Sequence, residues 1–302
     1  MTPRPTRGER KQRAAAVSVW SNLALTAIKL AAAIVTRSVS ILSEALHSGL
    51  DLVAALMAFL AIRKAREPAD ADHQFGHGKF ESMSGLAESL LILVAVVLIF
   101  WTSVGRLISG ETELVQTELG MAVMAVSAVV NIFVSRMLFR VARATDSIAL
   151  EADAWHLRTD VWTSAGVFVG LAAIIVATRL GLREAHHLDP LIAIAVGLVI
   201  TKAALGITHL SWNQLVDRAL PASERERIEN LLREHYPQFA GYHDLRTRQA
   251  GSHRYVDLHL VVAGNLPVAE AHALCDHLEA DVRRLIPDAE VMIHVEPKRR
   301  DE

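Results

Sequence analysis

Residues 41–53 read I-L-S-E-A-L-H-S-G-L-D-L-V, an apolar run with His47 and Asp51 set inside it. The two stand four residues apart, and on an α-helix that spacing brings both side chains to one face, a single turn from each other. Residues 152–162, A-D-A-W-H-L-R-T-D-V-W, repeat the arrangement with His156 and Asp160, and a long apolar run follows again. An Asp at mid-membrane costs ~2.5–3.5 kcal/mol on the insertion scale, so two such pairs need a compensating partner. Two imidazoles and two carboxylates match in number and kind the donors of a tetrahedral zinc-like cation, and a proton competes for each of them. The bland alternative is a buried ion pair or a set of interhelical hydrogen bonds.

The rest of the chain favours a membrane setting. Of its 302 residues 52% are hydrophobic, the net charge is only -2, and the mean hydropathy is +0.29. That is too apolar for an ordinary soluble domain of this size. Six stretches reach the ~20 residues that a membrane helix needs: 14–36, 39–62, 83–108, 119–139, 148–179 and 190–210. The fifth is long and polar in its first third. No small-residue cleavage pattern closes the basic start of the chain, so the first span is read as retained. An even number of spans puts both termini on one side. Arg4, Arg7, Arg10, Lys11 and Arg13, then Arg63, Lys64, Arg66 and Lys79, then Arg136, Arg140 and Arg143 fall on that same side. The positive-inside rule makes it the cytoplasm. The chain's compactness fits a bacterial inner membrane.

This topology places the two pairs at a common depth. His47 and Asp51 lie roughly 9 to 15 Å below the outer end of the second span at 1.5 Å per residue. His156 and Asp160 lie roughly 13 to 20 Å above the inner end of the fifth, in a core ~30 Å thick. Glu44 and Asp153 stand nearer the helix ends, are expected to reach water, and are left out of the site. Asn22 and Asn131 are read as interhelical hydrogen-bond donors. Arg158 points away from His156 and Asp160, with snorkelling or pairing as its only account.

Between spans two and three, E-P-A-D-A-D-H-Q-F-G-H-G-K-F-E-S reads as a turn carrying Asp70, His73 and His77. After Asp217 the composition becomes that of a soluble domain. Residues 221–235 read as a helix, 243–249 and 255–262 as strands, 268–285 as a helix and 290–296 as a strand. The order αββαβ predicts a small two-layer α+β domain. Period two puts His294 beside Glu296, while the convergence of His243 and His259 on them is left open. The domain plan is a basic cytoplasmic N-terminus over 1–13, a six-span transport domain over 14–212 and a cytoplasmic metal-binding and dimerisation domain over 213–302. One cysteine, Cys275, excludes a disulfide framework or a thiolate cluster, so any metal chemistry rests on His, Asp and Glu. A pI near 6.7 without a basic, aromatic-studded domain argues against nucleic acid.

Taken in order, H-x-x-x-D in span two, F-G-H-G-K-F-E-S, A-D-x-x-H-x-x-x-D in span five, D-R-A-L-P and H-D-L-R-T-R resemble the cation diffusion facilitator family of divalent-metal/proton antiporters. The resemblance implies a homodimer in the bilayer that exports divalent metal against protons by alternating access. It implies a ferredoxin-like cytoplasmic domain. Its transport site falls on His47, Asp51, His156 and Asp160, a loop site on Asp70, His73 and His77, and tail sites on His243, His259, His272, His294 and Glu296. Lys79 and Asp217 match a charge pair at the dimer's membrane–cytoplasm junction. Similar bacterial iron and zinc members often carry Asp where this chain has His47, and imidazole in place of carboxylate tilts the choice toward Zn2+, transported and regulatory. Cadmium, cobalt and iron remain alternatives. Similar members carry Asp where this chain has Glu296. Outside the resemblance two further readings stand: a membrane-anchored metal sensor or chaperone working through the tail, and an intramembrane metalloenzyme. The second lacks H-E-x-x-H and G-x-S-x-G, so no enzyme is expected.

Overall fold

The structure is a computed structural model that describes residues 5–37, 39–109, 118–179, 188–235 and 238–298. It divides into two compact units, Met1–Trp212 and Asn213–Glu302.

The first unit is built from six long helices: α1 (Arg7–Thr36), α2 (Val39–Ala65), α3 (Lys79–Ser109), α4 (Glu118–Thr145), α5 (Ile148–Arg179) and α6 (Leu188–Leu215). Five are long and apolar enough to cross a membrane by length and composition. The exception among the described residues is α5, whose first half carries Glu151, Asp153, Arg158 and Asp160. A capping box starts α1: Thr6 Oγ1 accepts from Glu9 N at 3.2 Å, and Glu9 Oε2 accepts from Thr6 N at 2.8 Å. Arg37, at φ 51°, ends it in the left-handed region.

Small side chains let these helices approach closely. Ala14, Ala15 and Ala33 of α1 and Ala45, Ala54, Ala55 and Ala58 of α2 are all buried. α5 packs against α4 where Ala149, Leu150, Ala154 and Leu157 meet Leu138 and Ala142. Helix α3 buries Glu81, Ser84, Gly85, Glu88, Ser89, Ile92 and Val96, a helical stripe that starts polar and ends apolar. Its apolar end meets Ile200 and Ala204 of α6. A Cβ on Gly85 would stand 2.8 Å from Ser211 Oγ, so glycine is what permits the α3–α6 approach there. The outer surface keeps large apolar side chains such as Leu46, Val97, Trp101 and Ile108 exposed, as lipid-facing helices do.

The second unit runs α7 (Ala222–Glu234), β1 (Gly241–Ala250), β2 (His253–Val262), α8 (Val268–Leu285) and β3 (Ala289–Pro297). The sheet order is β1-β2-β3, with β1 antiparallel and β3 parallel to β2. A parallel pair needs a crossover, and α8 supplies it. Val256, Leu258, Leu260 and Val262 point to one face and pack on Ile228 and Leu232 of α7 and on Cys275, Leu278 and Val282 of α8. That alternation is what the sequence predicts, with one addition. Tyr255, on the other face, is also buried, under the Arg248 guanidinium 4.1 Å from its ring.

Candidate metal centre

Helices α2 and α5, over a hundred residues apart in sequence, bring the two His/Asp pairs together. His156 Nε2 lies 3.0 Å from Asp51 Oδ1, His47 Nε2 lies 3.9 Å from Asp51 Oδ1, and His47 Nε2 lies 3.8 Å from Asp160 Oδ1. His47, Asp51 and Asp160 each offer an atom within 4.8 Å of the others, and His156 joins through Asp51. Zinc bonds of ~2.0–2.1 Å in tetrahedral array separate donor atoms by about 3.3 Å, inside the observed range. The spacing of His47, Asp51 and Asp160 therefore fits a zinc-like ion, with His156 beside Asp51 as a fourth donor of the right kind.

His47, Asp51 and Asp160 line a cavity of about 200 Å3 formed by the C-terminal half of α1, the N-terminal halves of α2 and α4, and α5, with His156 behind Asp51. All of these portions lie toward the α1–α2 connection. His47 is its most open member, with a side chain 53% exposed against 6% for Asp51. Lys29 lines the same cavity, its Nζ donating to Ser48 Oγ at 2.7 Å and reaching Glu44 Oε2 at 3.3 Å. Toward the opposite end the packing is apolar. Ala14, Ala15, Ile62, Leu138, Leu150 and Leu157 form an apolar plug there. Near the starts of α1 and α3, Lys11 Nζ meets Glu81 Oε1 at 2.7 Å, both side chains about 5% exposed. Ser147, between α4 and α5, donates to the other Glu81 oxygen.

Several residues differ from their sequence reading. Asp153 is buried (1% exposed) instead of reaching water, because α5 packs against α1 and α3 along its first half. It hydrogen-bonds Ser18 and shares the face of α5 that holds His156 and Asp160, at spacings of three and seven. Glu88 of α3 has no place in the sequence-derived site. It is completely buried, accepts from Ser84 Oγ at 3.1 Å, and lies within electrostatic reach of Asp153 and His156. Its signal was a glutamate in the middle of an apolar stretch. Glu44, by contrast, keeps a side chain 39% exposed as its sequence reading expects, and it lines the cavity. Among the described residues Asn22 bonds within α1, to Ser18 O at 3.1 Å, where the sequence reading expects an interhelical bond, and Asn131 lines the same cavity.

The loop residues cluster as well. Asp70 Oδ1 stands 3.4 Å from His73 Nδ1, and Asp70 Oδ2 stands 3.3 Å from the buried His77 Nε2. A turn through Gly76, at φ 74°, folds the segment so that Gly76 N donates to His73 O. The His73 N–H donating to Asp70, joined by the Asp72 N–H and the His77 and His73 rings, holds the Asp70 carboxyl below its ordinary range.

In the second unit the strand register makes a row. His243 pairs with His259 across β1/β2, and His259 pairs with His294 across β2/β3. Glu296 reaches into the row, to His243 Nε2 at 3.1 Å, His259 Nδ1 at 2.9 Å and His294 Nε2 at 3.7 Å. Partial desolvation raises the Glu296 carboxyl, but the hydrogen bonds from His243 and His259 outweigh it and leave the group below its ordinary range. His272 is not part of this row. It sits exposed on α8, 3.8 Å from Asp276, and α8 packs on the opposite face of the sheet.

Residues 15–216 match the model of the cation efflux transmembrane domain, and residues 220–298 match that of the cation efflux protein cytoplasmic domain. The chain belongs to the cation efflux family. Among relatives of this cation efflux protein, an uncharacterised transporter of Synechocystis is 37% identical over 283 residues, 94% of this chain and 89% of the relative. The cation-efflux pump FieF of Salmonella arizonae is 35% identical over 292 residues, 97% of this chain and 94% of the relative. A solved chain of CzrB is 44% identical, covers 26% of this chain and 99% of that chain, and gives a TM-score of 0.26. As a cation efflux transporter the protein is a multi-pass membrane protein.

Proposed function

We propose that this cation efflux protein is a secondary active transporter. It exports a divalent metal, Zn2+ first, from the cytoplasm in exchange for protons, through His47, Asp51, His156 and Asp160. The observation that carries the reading is the meeting of His47, Asp51 and Asp160 from two distant helices within 4.8 Å of one another, with His156 3.0 Å from Asp51. All six long helices span the bilayer on this reading, with both termini in the cytoplasm of a bacterial inner membrane. The plug and the Lys11–Glu81 pair then lie on the cytoplasmic side, and the arrangement seen here faces outward.

From that arrangement the exchange follows. When the inner end opens, Asp51 and Asp160 as carboxylates and the two neutral imidazoles take the metal and release whatever protons they held. When the outer end opens, acid reaches the set through the cavity, at His47 first because it is the most exposed. Protons then displace the ion.

The second unit is read as a ferredoxin-like cytoplasmic domain that pairs two copies of the chain into a homodimer. Its His243, His259, His294 and Glu296 row, with His272 outside it, and the Asp70, His73 and His77 loop cluster are assigned to regulatory metal. A tail-only sensor needs no quartet within the membrane domain, and the quartet's geometry therefore favours transport. The test is Zn2+ uptake into proteoliposomes driven by a pH gradient. The expected result is uptake by the unaltered protein that is lost in Asp51→Ala and in Asp160→Ala; uptake that survives both substitutions overturns the proposal.

A further inference from the structure

Three arginines of α4, Arg136, Arg140 and Arg143, stand at spacings of four and three and form one stripe. A fourth, Arg158, reaches the same place from α5, and the four line a cavity of about 730 Å3. Among the described residues none of the four forms an ion pair or hydrogen bond. The Arg158 guanidinium lies 5.6 Å over the Phe139 ring, and its Nε is shut off from solvent with no acceptor. Trp155 stands edge-on to Phe139 at 5.3 Å and to Trp162 at 5.8 Å, giving the cavity a continuous aromatic wall.

Four guanidinium groups around one cavity repel one another until an anion enters, and a planar fork suits phosphate oxygens in particular. The aromatic wall asks for a ligand with an apolar portion beside that anion. We infer that α4 and α5 carry a binding site for an anionic phospholipid, its phosphate held by Arg136, Arg140, Arg143 and Arg158 and its glycerol and upper acyl chains laid against Trp155 and Trp162. A second copy of the chain seated on the same patch would set four more guanidinium groups against these. The inference needs the helices to lie in a bilayer and nothing about the cargo. Basic pockets between helices at the cytoplasmic leaflet are a recognised setting for such headgroups. Arg158 is two residues from both His156 and Asp160, so a lipid gripping it holds the helix that carries half of the metal quartet. This also gives Arg158 the partner that its position in the sequence left unexplained.

The test uses the full chain and an equal mixture of phosphatidylglycerol and phosphatidylcholine, with retained lipid read by native mass spectrometry. The unaltered protein is expected to retain phosphatidylglycerol preferentially. Arg140→Gln with Arg143→Gln, two exposed positions that folding tolerates, lowers that preference by about fivefold per arginine, the factor set by ~1 kcal/mol per basic residue at an anionic surface. Arg158→Gln lowers it further. An unaltered protein without the preference, or glutamine variants that keep it, overturns the inference. So does full displacement of the lipid by an equal concentration of soluble glycerol 3-phosphate, which would make the patch a site for a free anion.

Discussion

Removing the Lys11 ammonium tests how the inner end of the transport unit is held shut. Lys11→Met leaves Glu81 buried with Ser147 but without its cation, and breaking one side of a buried pair costs ~3–5 kcal/mol. On the proposed alternation this group parts when the inner end opens, so the cost falls on the closed arrangement. At ~1.4 kcal/mol per factor of ten, the equilibrium moves toward the inward-open form by roughly a hundredfold or more. A hundredfold shift turns a 1:99 distribution into an even one, so the effect is large enough to see directly. Ala15 is completely buried in the apolar plug. In a Cys275→Ser background, Ala15→Cys reports opening by its reaction with a membrane-impermeant maleimide added on the N-terminal side. The expected result is labelling that is slow with Lys11 present and about fiftyfold faster in Lys11→Met, with Lys11→Arg close to the original. An unchanged labelling rate in a folded Lys11→Met protein refutes the reasoning.

Other substitutions probe the remaining parts. His47→Asp replaces a nitrogen donor by a hard oxygen, and competition uptake should move from zinc toward manganese and iron by about tenfold or more, the size of change that even groups behind the ligands produce. Glu296 is held below its ordinary range, so its contribution to stability is present above the unfolded value of about 4.3 and is lost as pH falls through the depressed folded value. Glu296→Gln should therefore lower the unfolding midpoint of the second unit at pH 7, with the difference shrinking toward zero in strong acid. Leu278, completely buried between α8 and the sheet, should cost ~2–5 kcal/mol on truncation to Ala, read as faster hydrogen exchange in β2 of the full chain.

The quartet could be read from the sequence because charged residues in an apolar run have few bland explanations, and because a spacing of four fixes their face. The tail's elements were legible for a related reason: period-two alternation in Val256 to Val262 marks a strand with one buried face. The His243–His259–His294 row was not, since strand register depends on pairing between distant segments, and only the register puts Glu296 within reach of three imidazoles. Asp153 was misplaced for a different reason. Distance from a helix end says little about water when neighbouring helices cover that end, and α1 and α3 cover this one. Glu88 was overlooked because one acidic residue in an apolar span offers no pattern until a second helix brings Asp153 to it. Arg158 needed the α4 stripe beside it before its position made sense.

The central claim is that the four side chains of α2 and α5 grip a divalent cation between them. Zinc-edge anomalous scattering from crystals of the full chain soaked in Zn2+ tests it most directly. The expected result is a peak within ~2.0–2.2 Å of donor atoms from His47, Asp51, His156 and Asp160. That peak should vanish in Asp51→Ala with Asp160→Ala, while any peaks at the loop and tail clusters persist. Peaks confined to those clusters in a protein that still carries zinc across vesicles would contradict the account.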